Sequence, residues 1–197
     1  MVTAAHCLKD YDDSRLYLAF GTKAQPGAFT ESKLRAATKI RVHEGFSFAG
    51  ISQDVRPVYD IALVELNAPA PSGYEPVAVM GPENTVDVGE ELVLAGFGAT
   101  STWWFLSESG ELRKVSTKLA GVNGDMKEFD FGPTRGRTSC NGDSGGPAFV
   151  KRGDGLALLG VTSRGDYCQS EGTYTDIRQF VGWLVESINL FDEQAAE

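Results

Sequence analysis

Short apolar runs, each ended by glycine, proline or a polar cluster, recur along most of the chain. Residues 14–20 alternate between apolar and polar and stop at Gly21, as expected of a half-buried strand. Asp60 opens a run to residue 66 that is mostly apolar, which indicates a buried strand. Similar runs predict further strands over residues 34–43, 91–97, 112–119, 146–150 and 156–163. We therefore predict an all-β protein that is rich in turns.

Two stretches depart from the strand pattern. Four prolines indicate a crossover over roughly residues 69–88, because proline disfavours continuous strand there: Pro69, Pro71, Pro76 and Pro82. Towards the C-terminus, apolar side chains recur every three or four residues and predict a helix that packs on the core: Ile177, Phe180, Val181, Leu184, Ile188 and Phe191. Asp176 with Gln179 is a capping arrangement at the start of this helix.

Composition narrows the class of protein without identifying it. The 197 residues suffice for one large domain or two small ones, and 23 glycines with 8 prolines fit a turn-rich β protein. The net charge of −9 argues against nucleic acid as a partner. No apolar stretch of the sequence is long enough to span a membrane, so we expect no membrane partner.

The most informative segment is the run over residues 139–147, Ser-Cys-Asn-Gly-Asp-Ser-Gly-Gly-Pro. Glycine lets a backbone approach a ligand closely and adopt conformations that other residues avoid. A serine on such a turn, with backbone N–H groups around it, is how acyl-transfer enzymes place a nucleophile beside an oxyanion hole. Ser144 is therefore a candidate nucleophile, although a glycine-rich surface turn has the same composition.

A nucleophilic serine needs a base, and the base needs an orienting group. The chain has 2 histidines. His6 lies between small residues and a cysteine, which indicates a tightly packed site, whereas His43 fits an ordinary strand-end histidine near solvent. Asp60 opens an apolar strand, where a carboxylate is rarely left unpaired. It is a candidate partner for an imidazole N–H, but it could equally cap a turn or bind backbone donors.

Together, His6, Asp60 and Ser144 follow the order of the chymotrypsin triad, which differs from the orders in subtilisin and the α/β-hydrolases. The chain resembles the trypsin/chymotrypsin-like serine protease family in three segments, residues 3–7, 60–63 and 142–147. Lesser matches lie at residues 95–98, 160–163 and 180–184. The resemblance runs in the family's order from residue 2 to about residue 184.

The resemblance implies an all-β fold of two six-stranded antiparallel β-barrels followed by a C-terminal helix. Residues 1–197 would form one trypsin-like peptidase domain, with its barrels at about residues 1–78 and 79–184 and its helix at about residues 176–191. Met1 is followed almost directly by the histidine motif, without an export signal, and Cys7 lacks the upstream partner that the family provides. We therefore expect an N-terminally truncated member with an incomplete first barrel.

The resemblance also implies a serine endopeptidase that forms an acyl-enzyme. His6 would accept the Ser144 proton, Asp60 would orient the imidazole, and the N–H groups of Gly142 and Ser144 would form the oxyanion hole. We further expect a polypeptide substrate, protein inhibitors as a second class of partner, a monomer, no cofactor and a secreted or periplasmic location. Two alternatives stay open: a catalytically inactive fragment or non-proteolytic binding homologue, and an esterase that uses the same triad.

Substrate-binding positions carry over from the family residue by residue. Thr138 would form the floor of the primary pocket, with Gly165 and Gly172 as its walls. Ser163 and Arg164 would belong to the edge segment that pairs with an extended substrate, and Arg164 would favour acidic or polar groups nearby. Because the floor lacks a carboxylate, we expect uncharged medium or large side chains before the cleaved bond, although two acidic residues lie close in sequence, Asp166 and Glu171.

The resemblance also carries expectations about the three cysteines and about Asp143. The resemblance pairs Cys140 with Cys168 in a disulfide and leaves Cys7 free. It also gives Asp143 an α-amino partner, exposed by cleavage of a pro-segment, whose binding forms the oxyanion hole. In this chain Asp143 would lack that partner, and the alternative is a carboxylate in solvent or bound to local backbone donors. We expect no metal site, since the cysteines lack zinc spacing and residues 21–43 contain a single acidic residue.

Overall fold

The computed structural model describes residues 1–11, 15–25, 27–47, 58–101, 108–132, 138–165 and 168–195. In these residues the strands are β1 (Val2–Thr3), β2 (Tyr17–Ala19), β3 (Leu34–Val42), β4 (Ala62–Leu66), β5 (Ala78–Val79), β6 (Glu91–Gly96), β7 (Arg113–Asn123), β8 (Glu128–Phe131), β9 (Pro147–Arg152), β10 (Gly155–Gly165) and β11 (Gly172–Asp176). Short 3-10 helices lie at Ala5–Cys7, Glu31–Lys33 and Ile177–Phe180, and the α-helix α1 spans Val181–Ala195. None of the helices in these residues is both long and apolar enough to cross a membrane.

The first sheet is antiparallel and has the strand order β1-β4-β3-β2. Four buried side chains form a small apolar core in this half of the molecule: Leu8, Ala37, Ala62 and Val64. β1 pairs with the beginning of β4, so that Val2 lies opposite Leu63. This pairing places the histidine motif, which follows β1, beside the aspartate that precedes β4.

The second sheet closes on itself. Its strands follow the order β11-β8-β7-β6-β9-β10, and β10 pairs again with β11, so that these six strands form a closed barrel. β5 lies outside this ring and runs parallel to β10. Large buried side chains fill the barrel, among them Leu92, Leu119, Phe129, Phe131, Leu159 and Tyr174. A closed barrel, an open sheet in place of the other barrel and a C-terminal helix confirm the predicted fold class.

A further group of buried side chains joins the two sheets and the C-terminal helix: Ile61, Leu63, Leu158, Ile177, Phe180, Leu184 and Phe191. Polar contacts tie α1 to β3 beside this group. Lys39 donates a hydrogen bond to the carbonyl of Phe191, and Arg41 donates to the hydroxyl of Ser187 at 3.1 Å. The helix therefore packs against both halves of the molecule.

The seven predicted strands are present with shifted ends, and the apolar pattern of the sequence does not predict four further strands. β2 begins at Tyr17, later than predicted, and residue 14 lies outside the described residues. The strands that the pattern does not predict are β1, β5, β8 and β11, none longer than five residues. The predicted C-terminal helix starts as a 3-10 turn in which the Asp176 carboxylate accepts the N–H of Arg178 at 3.2 Å, before α1 begins.

Candidate active site

His6 and Asp60 are joined by a direct hydrogen bond. His6 lies in the 3-10 helix that follows β1, and its Nδ1 is 2.7 Å from Oδ2 of Asp60. The backbone N–H of His6 donates to the other carboxylate oxygen, Oδ1, at 2.9 Å. Asp60 therefore binds both the ring and the backbone of His6, which fixes the orientation of the imidazole. With Nδ1 donating to the carboxylate, Nε2 is left as the basic nitrogen.

The Asp60 side chain is fully buried, and the second barrel supplies further partners for it. The hydroxyl of Ser163, on β10, donates to Oδ2 at 2.7 Å. The hydroxyl of Thr175, on β11, donates to the backbone carbonyl of Asp60 at 2.9 Å. A buried carboxylate is costly unless its oxygens are hydrogen-bonded, and His6 and Ser163 meet that requirement, while Thr175 holds the backbone of Asp60. The sequence assigned Ser163 to substrate binding and signalled neither of these bonds.

The environment of His6 favours its protonated form. The hydrogen bond to Asp60 is the main cause, followed by a hydrogen bond to Cys7, and together they raise the pKa of His6 above its ordinary value of 6.5. Partial burial of the ring opposes this shift because it disfavours the imidazolium. The pair thus stabilises a positive charge on the imidazole, which is the charge that a general base acquires when it accepts a proton.

Ser144 lies in the exposed turn that precedes β9. This turn is tied to β10 by backbone hydrogen bonds, because the N–H of Gly145 donates to the carbonyl of Thr162 at 2.9 Å. In return the N–H of Thr162 donates to the carbonyl of Gly146 at 2.8 Å. Gly145 has φ +73°, a conformation that favours glycine, so the glycine after the serine is required by the turn. The serine is therefore held in a turn that is bonded to β10.

The serine turn packs directly against the histidine motif. A Cβ at Gly145 would lie 3.4 Å from Sγ of Cys7, and the hydroxyl of Thr3 donates to the carbonyl of Gly145 at 3.5 Å. Among the described residues, no hydrogen bond joins the Ser144 hydroxyl to the His6 ring. Catalytic hydrogen bonds are often long without substrate, so this geometry is compatible with a serine–histidine pair. The structure thus brings the loops of all three candidate residues together.

Both carboxylate oxygens of Asp143 accept backbone hydrogen bonds, and no ion pair joins Asp143 to a cation among the residues that the structure describes. Oδ1 accepts the N–H of Gly98 at 2.8 Å, and Oδ2 accepts the N–H of Cys140 at 2.8 Å. A Cβ at Gly98 would lie 2.6 Å from Cγ of Asp143, and one at Gly96 would also collide with the carboxylate. Backbone donors therefore bind the carboxylate, but only Cys140 is local in sequence, since Gly98 lies 45 residues away. Gly142, the predicted oxyanion donor, immediately precedes Asp143 and has φ +93°.

A cavity of about 800 Å³ opens beside Ser144. The predicted wall residues Gly165 and Gly172 line it, and a Cβ at Gly172 would lie 2.6 Å from the Phe131 ring, so a side chain would not fit there. The placement of Thr138 at the floor of the primary pocket stays a prediction. Thr138 lines a second cavity of about 240 Å³ together with Asp143, whereas its neighbour Ser139 lines both cavities.

Charged side chains line the larger cavity in an arrangement that the sequence did not predict. The guanidinium of Arg164 makes a bidentate ion pair with the buried carboxylate of Glu128, at 2.7 and 2.9 Å. Its charge is thereby compensated, which removes the reason to expect acidic groups in the adjacent subsite. Asp130 and Glu171 also line the cavity, so it contains two further carboxylates. Asp166, the other acidic candidate, lies outside the described residues.

Cys140 and Cys168 form a disulfide, and Cys7 is a free thiol, as the resemblance implies. The bond joins the segment before Ser144 to the segment before β11, and both cysteines line the cavity at Ser144. In the described parts of the chain, no group of three or more His, Cys, Asp or Glu side chains could hold a metal ion.

His43 directly follows the end of β3, as the strand-end interpretation has it, but it is more enclosed than that interpretation expects. Its side chain is 16% exposed and its ring stacks on Tyr59 with 4.8 Å between centroids. Phe180 and Trp183 contact the same ring, at 5.4 and 5.1 Å between centroids. Burial lowers the pKa of His43, which keeps the imidazole neutral. His43 is therefore part of the packing behind Asp60 rather than a surface group.

A closed barrel beside a half-barrel sheet, with a His–Asp pair next to a glycine-flanked serine, is consistent with the fold of the two-barrel serine proteases. The chain belongs to the trypsin family, since the family model described as Trypsin matches residues 1–184.

Individual relatives agree with this assignment. Transmembrane protease serine 11E of Mus musculus is 31% identical over 211 residues, which cover 96% of this chain and 47% of the relative. Hypodermin-B of Hypoderma lineatum is 29% identical over 210 residues, covering 97% of this chain and 75% of that protein. Atrial natriuretic peptide-converting enzyme of Mus musculus is 29% identical over 205 residues, covering 95% and 18% respectively. The chain thus spans less than half the length of two of these relatives.

Proposed function

We propose that the protein is a serine endopeptidase that cleaves polypeptides through an acyl-enzyme. The observation that carries this proposal is the His6–Asp60 hydrogen bond of 2.7 Å, in a motif that contacts the glycine turn bearing Ser144. A base oriented by a buried carboxylate, next to an exposed hydroxyl, is the arrangement that nucleophilic catalysis by serine needs.

In the proposed reaction, Ser144 Oγ attacks the scissile carbonyl carbon while His6 Nε2 accepts the hydroxyl proton. His6 then returns that proton to the leaving amine, and a water molecule repeats the sequence to release the acid product. Asp60 holds the tautomer and stabilises the imidazolium. The N–H groups of Gly142 and Ser144 are assigned to the oxyanion, where one such donor is worth about 3–4 kcal/mol.

The proposal extends to the location and the substrate of the protein. A disulfide between Cys140 and Cys168 fits an oxidising compartment, so we propose that the protein acts outside the cytoplasm. An extended peptide is proposed to pair with the edge segment at Ser163–Gly165, beyond the part of β10 that β9 covers. The preference for uncharged side chains before the cleaved bond stays a prediction, which the carboxylates of Asp130 and Glu171 oppose; a peptide-library profile separates the two.

The chemistry is tested by labelling with a fluorophosphonate probe and by peptide hydrolysis. The parent should be labelled at Ser144, and Ser144→Ala and His6→Ala should each lower kcat on the order of 10⁶-fold, with the double variant little worse. Ser109→Ala, which removes an exposed hydroxyl elsewhere, is the matched control and should match the parent. Peptide hydrolysis by His6→Ala within a few-fold of the parent would show that the assignment is wrong.

The same experiment separates the alternatives. A folded parent that binds peptide but is neither labelled nor active would be a non-proteolytic member of the family. Turnover of esters without turnover of peptides would indicate an esterase. Both outcomes are read from the parent protein, independently of any variant.

A further inference from the structure

Tyr59, the residue immediately before Asp60, has an unusual backbone conformation. Its φ is +53°, in the left-handed region, which is strained for a bulky side chain. Such a conformation persists only where the surrounding structure enforces it, and it clusters at functional sites. The position of Tyr59, one residue from the carboxylate that binds His6, raises the question of what holds it.

The Tyr59 ring is held by an aromatic cluster, formed by His43, Tyr59, Phe180 and Trp183. The rings of Tyr59 and His43 stack with an interplanar angle of 15°, and Phe180 meets Tyr59 edge-on at 6.1 Å between centroids. A Cβ at Gly45 would lie 2.9 Å from the Tyr59 ring, so a glycine leaves the space that the ring fills. The cluster draws on the loop after β3, the 3-10 turn before α1 and the first turn of α1.

The backbone on the other side of Asp60 is fixed as well. The N–H of Ile61 donates to the carbonyl of Tyr59 at 2.8 Å, which closes a three-residue turn centred on Asp60. The N–H of His43 donates to the carbonyl of Ile61 at 3.1 Å. The turn directs the Asp60 carboxylate, and its conformation depends on the left-handed backbone at Tyr59. Ring packing on one side and a tight turn on the other therefore determine where the carboxylate lies.

We propose that the aromatic cluster positions Asp60: by anchoring Tyr59 in the left-handed conformation, it sets the carboxylate at hydrogen-bond distance from His6. Tyr59 and His43 are then positioning residues, and they connect α1 to the active site through Phe180 and Trp183. The proposal concerns the geometry of the His6–Asp60 pair; its effect on turnover rests on the proposed function.

The direct test is a titration of His6 by NMR, which is simple because the chain has 2 histidines. Tyr59→Ala removes the aromatic ring that anchors this residue but keeps a side chain for which positive φ is strained. Asp60 should therefore move, and the pKa of His6 should fall towards 6.5. kcat should fall on the order of 100-fold, the effect of a small misplacement, with little change in KM. Tyr59→Phe keeps the ring and should rescue both readouts. Tyr59→Gly loses the ring but tolerates positive φ, so it should fall between these variants.

Controls separate positioning from general loss of stability. Tyr17→Ala removes a tyrosine that is 62% exposed on the first sheet and should leave the His6 pKa unchanged. His43→Phe keeps a ring stacked on Tyr59 and His43→Ala removes it, and in both variants His6 is the remaining imidazole. These two variants test the positioning of Asp60 if Tyr59→Ala does not fold. The His43→Ala variant should lower the His6 pKa, and His43→Phe should restore it.

A folded Tyr59→Ala or His43→Ala protein with the parental His6 pKa would overturn the proposal. The titration needs no turnover, so this outcome is distinct from failure of the proposed function. If the parent shows no Ser144-dependent hydrolysis, the proposed function is wrong, and the pKa contrast still decides whether the cluster positions Asp60.

Discussion

At the scale of single residues, Asp60 is the group on which the site depends most. Its side chain is buried, and it binds His6 through ring and backbone while Ser163 donates to the same carboxylate. Each partner donates to the Asp60 carboxylate, and the nearby imidazole benefits because its cation is paired. Asp60 is thus both a structural anchor between the sheets and the group that makes His6 a stronger base.

The pH dependence of activity follows from this pair. A general base must be neutral, and Asp60 raises the pKa of His6, so kcat/KM should rise with pH along a limb that lies above pH 6.5. Asp60→Asn removes the carboxylate charge, which should move that limb to lower pH and reduce kcat on the order of 10⁴-fold. The measurement is a pH profile of kcat/KM for parent and variant. A limb at the same pH in both proteins would show that Asp60 does not control the ionisation of His6.

Residue identities at the centre of the site could be predicted from sequence, but their supporting contacts could not. His6, Asp60 and Ser144 lie in short segments whose residue types and order carry the resemblance. The bonds from Ser163 and Thr175 to Asp60 depend on how β10 and β11 face the first sheet, which no local pattern encodes. Thr138 illustrates the limit, since the resemblance assigns it to the primary pocket, whereas the cavity that it shares with Asp143 is visible only in three dimensions.

At the scale of elements, the turn before β9 is shaped by a glycine pocket for the Asp143 carboxylate. Gly96 and Gly98, at and after the end of β6, leave the space that the carboxylate occupies, and two backbone N–H groups bind its oxygens. Because Asp143 precedes Ser144, the end of β6 sets the conformation of the turn that carries the serine. The hydrogen bond from Gly98 to Asp143 thus joins two distant segments, since these residues are 45 positions apart.

Adding one methyl group tests this pocket. In Gly98→Ala the new Cβ would lie 2.7 Å from each Asp143 oxygen, so the carboxylate should be displaced and its two hydrogen bonds lost. We expect kcat/KM to fall on the order of 10²–10³-fold, the cost of losing an oxyanion donor. Gly124→Ala, at an exposed glycine with nothing within 4 Å, is the matched control and should behave like the parent. Equal kcat/KM for Gly98→Ala and the parent would contradict this role for the pocket.

Most strands could be predicted because their apolar runs are long enough to stand out. β3, β6 and β10 each contain alternating or continuous apolar residues, and all were found within a few positions of their observed ends. β8 is the instructive failure: Glu128–Phe131 is a four-residue strand in which a glutamate is buried. Its position is explained by the ion pair between Glu128 and Arg164 on β10, a contact that becomes visible only in three dimensions.

At the scale of the whole molecule, one apolar cluster holds the two sheets and α1 together. It contains Ile61 and Leu63 from the first sheet, Leu158 from the barrel, and Leu184 and Phe191 from α1. The His6–Asp60 pair lies beside this cluster, since Ile61 directly follows the catalytic candidate Asp60. An open sheet of four strands has few buried contacts of its own, so we expect its stability to come from this shared interface.

Leu184→Ala tests whether that interface makes the molecule unfold as a unit. Leu184 is 7% exposed, and truncating a buried leucine costs about 2–5 kcal/mol, so the denaturation midpoint should fall clearly. Val185→Ala, at the neighbouring 52% exposed position of α1, is the matched control and should cost about 0.5 kcal/mol or less. The measurement is chemical denaturation in proteins that keep Trp183 as their single tryptophan, with Trp103 and Trp104 replaced by phenylalanine. Tryptophan fluorescence then reports Trp183, which lies against His43 and Arg41 of the first half, and far-UV circular dichroism reports the strands. Because the cluster joins both sheets, the fluorescence and circular dichroism signals should change together in the parent and in Leu184→Ala. Separate transitions in the parent would show that the sheets fold independently and that the shared cluster does not set their stability.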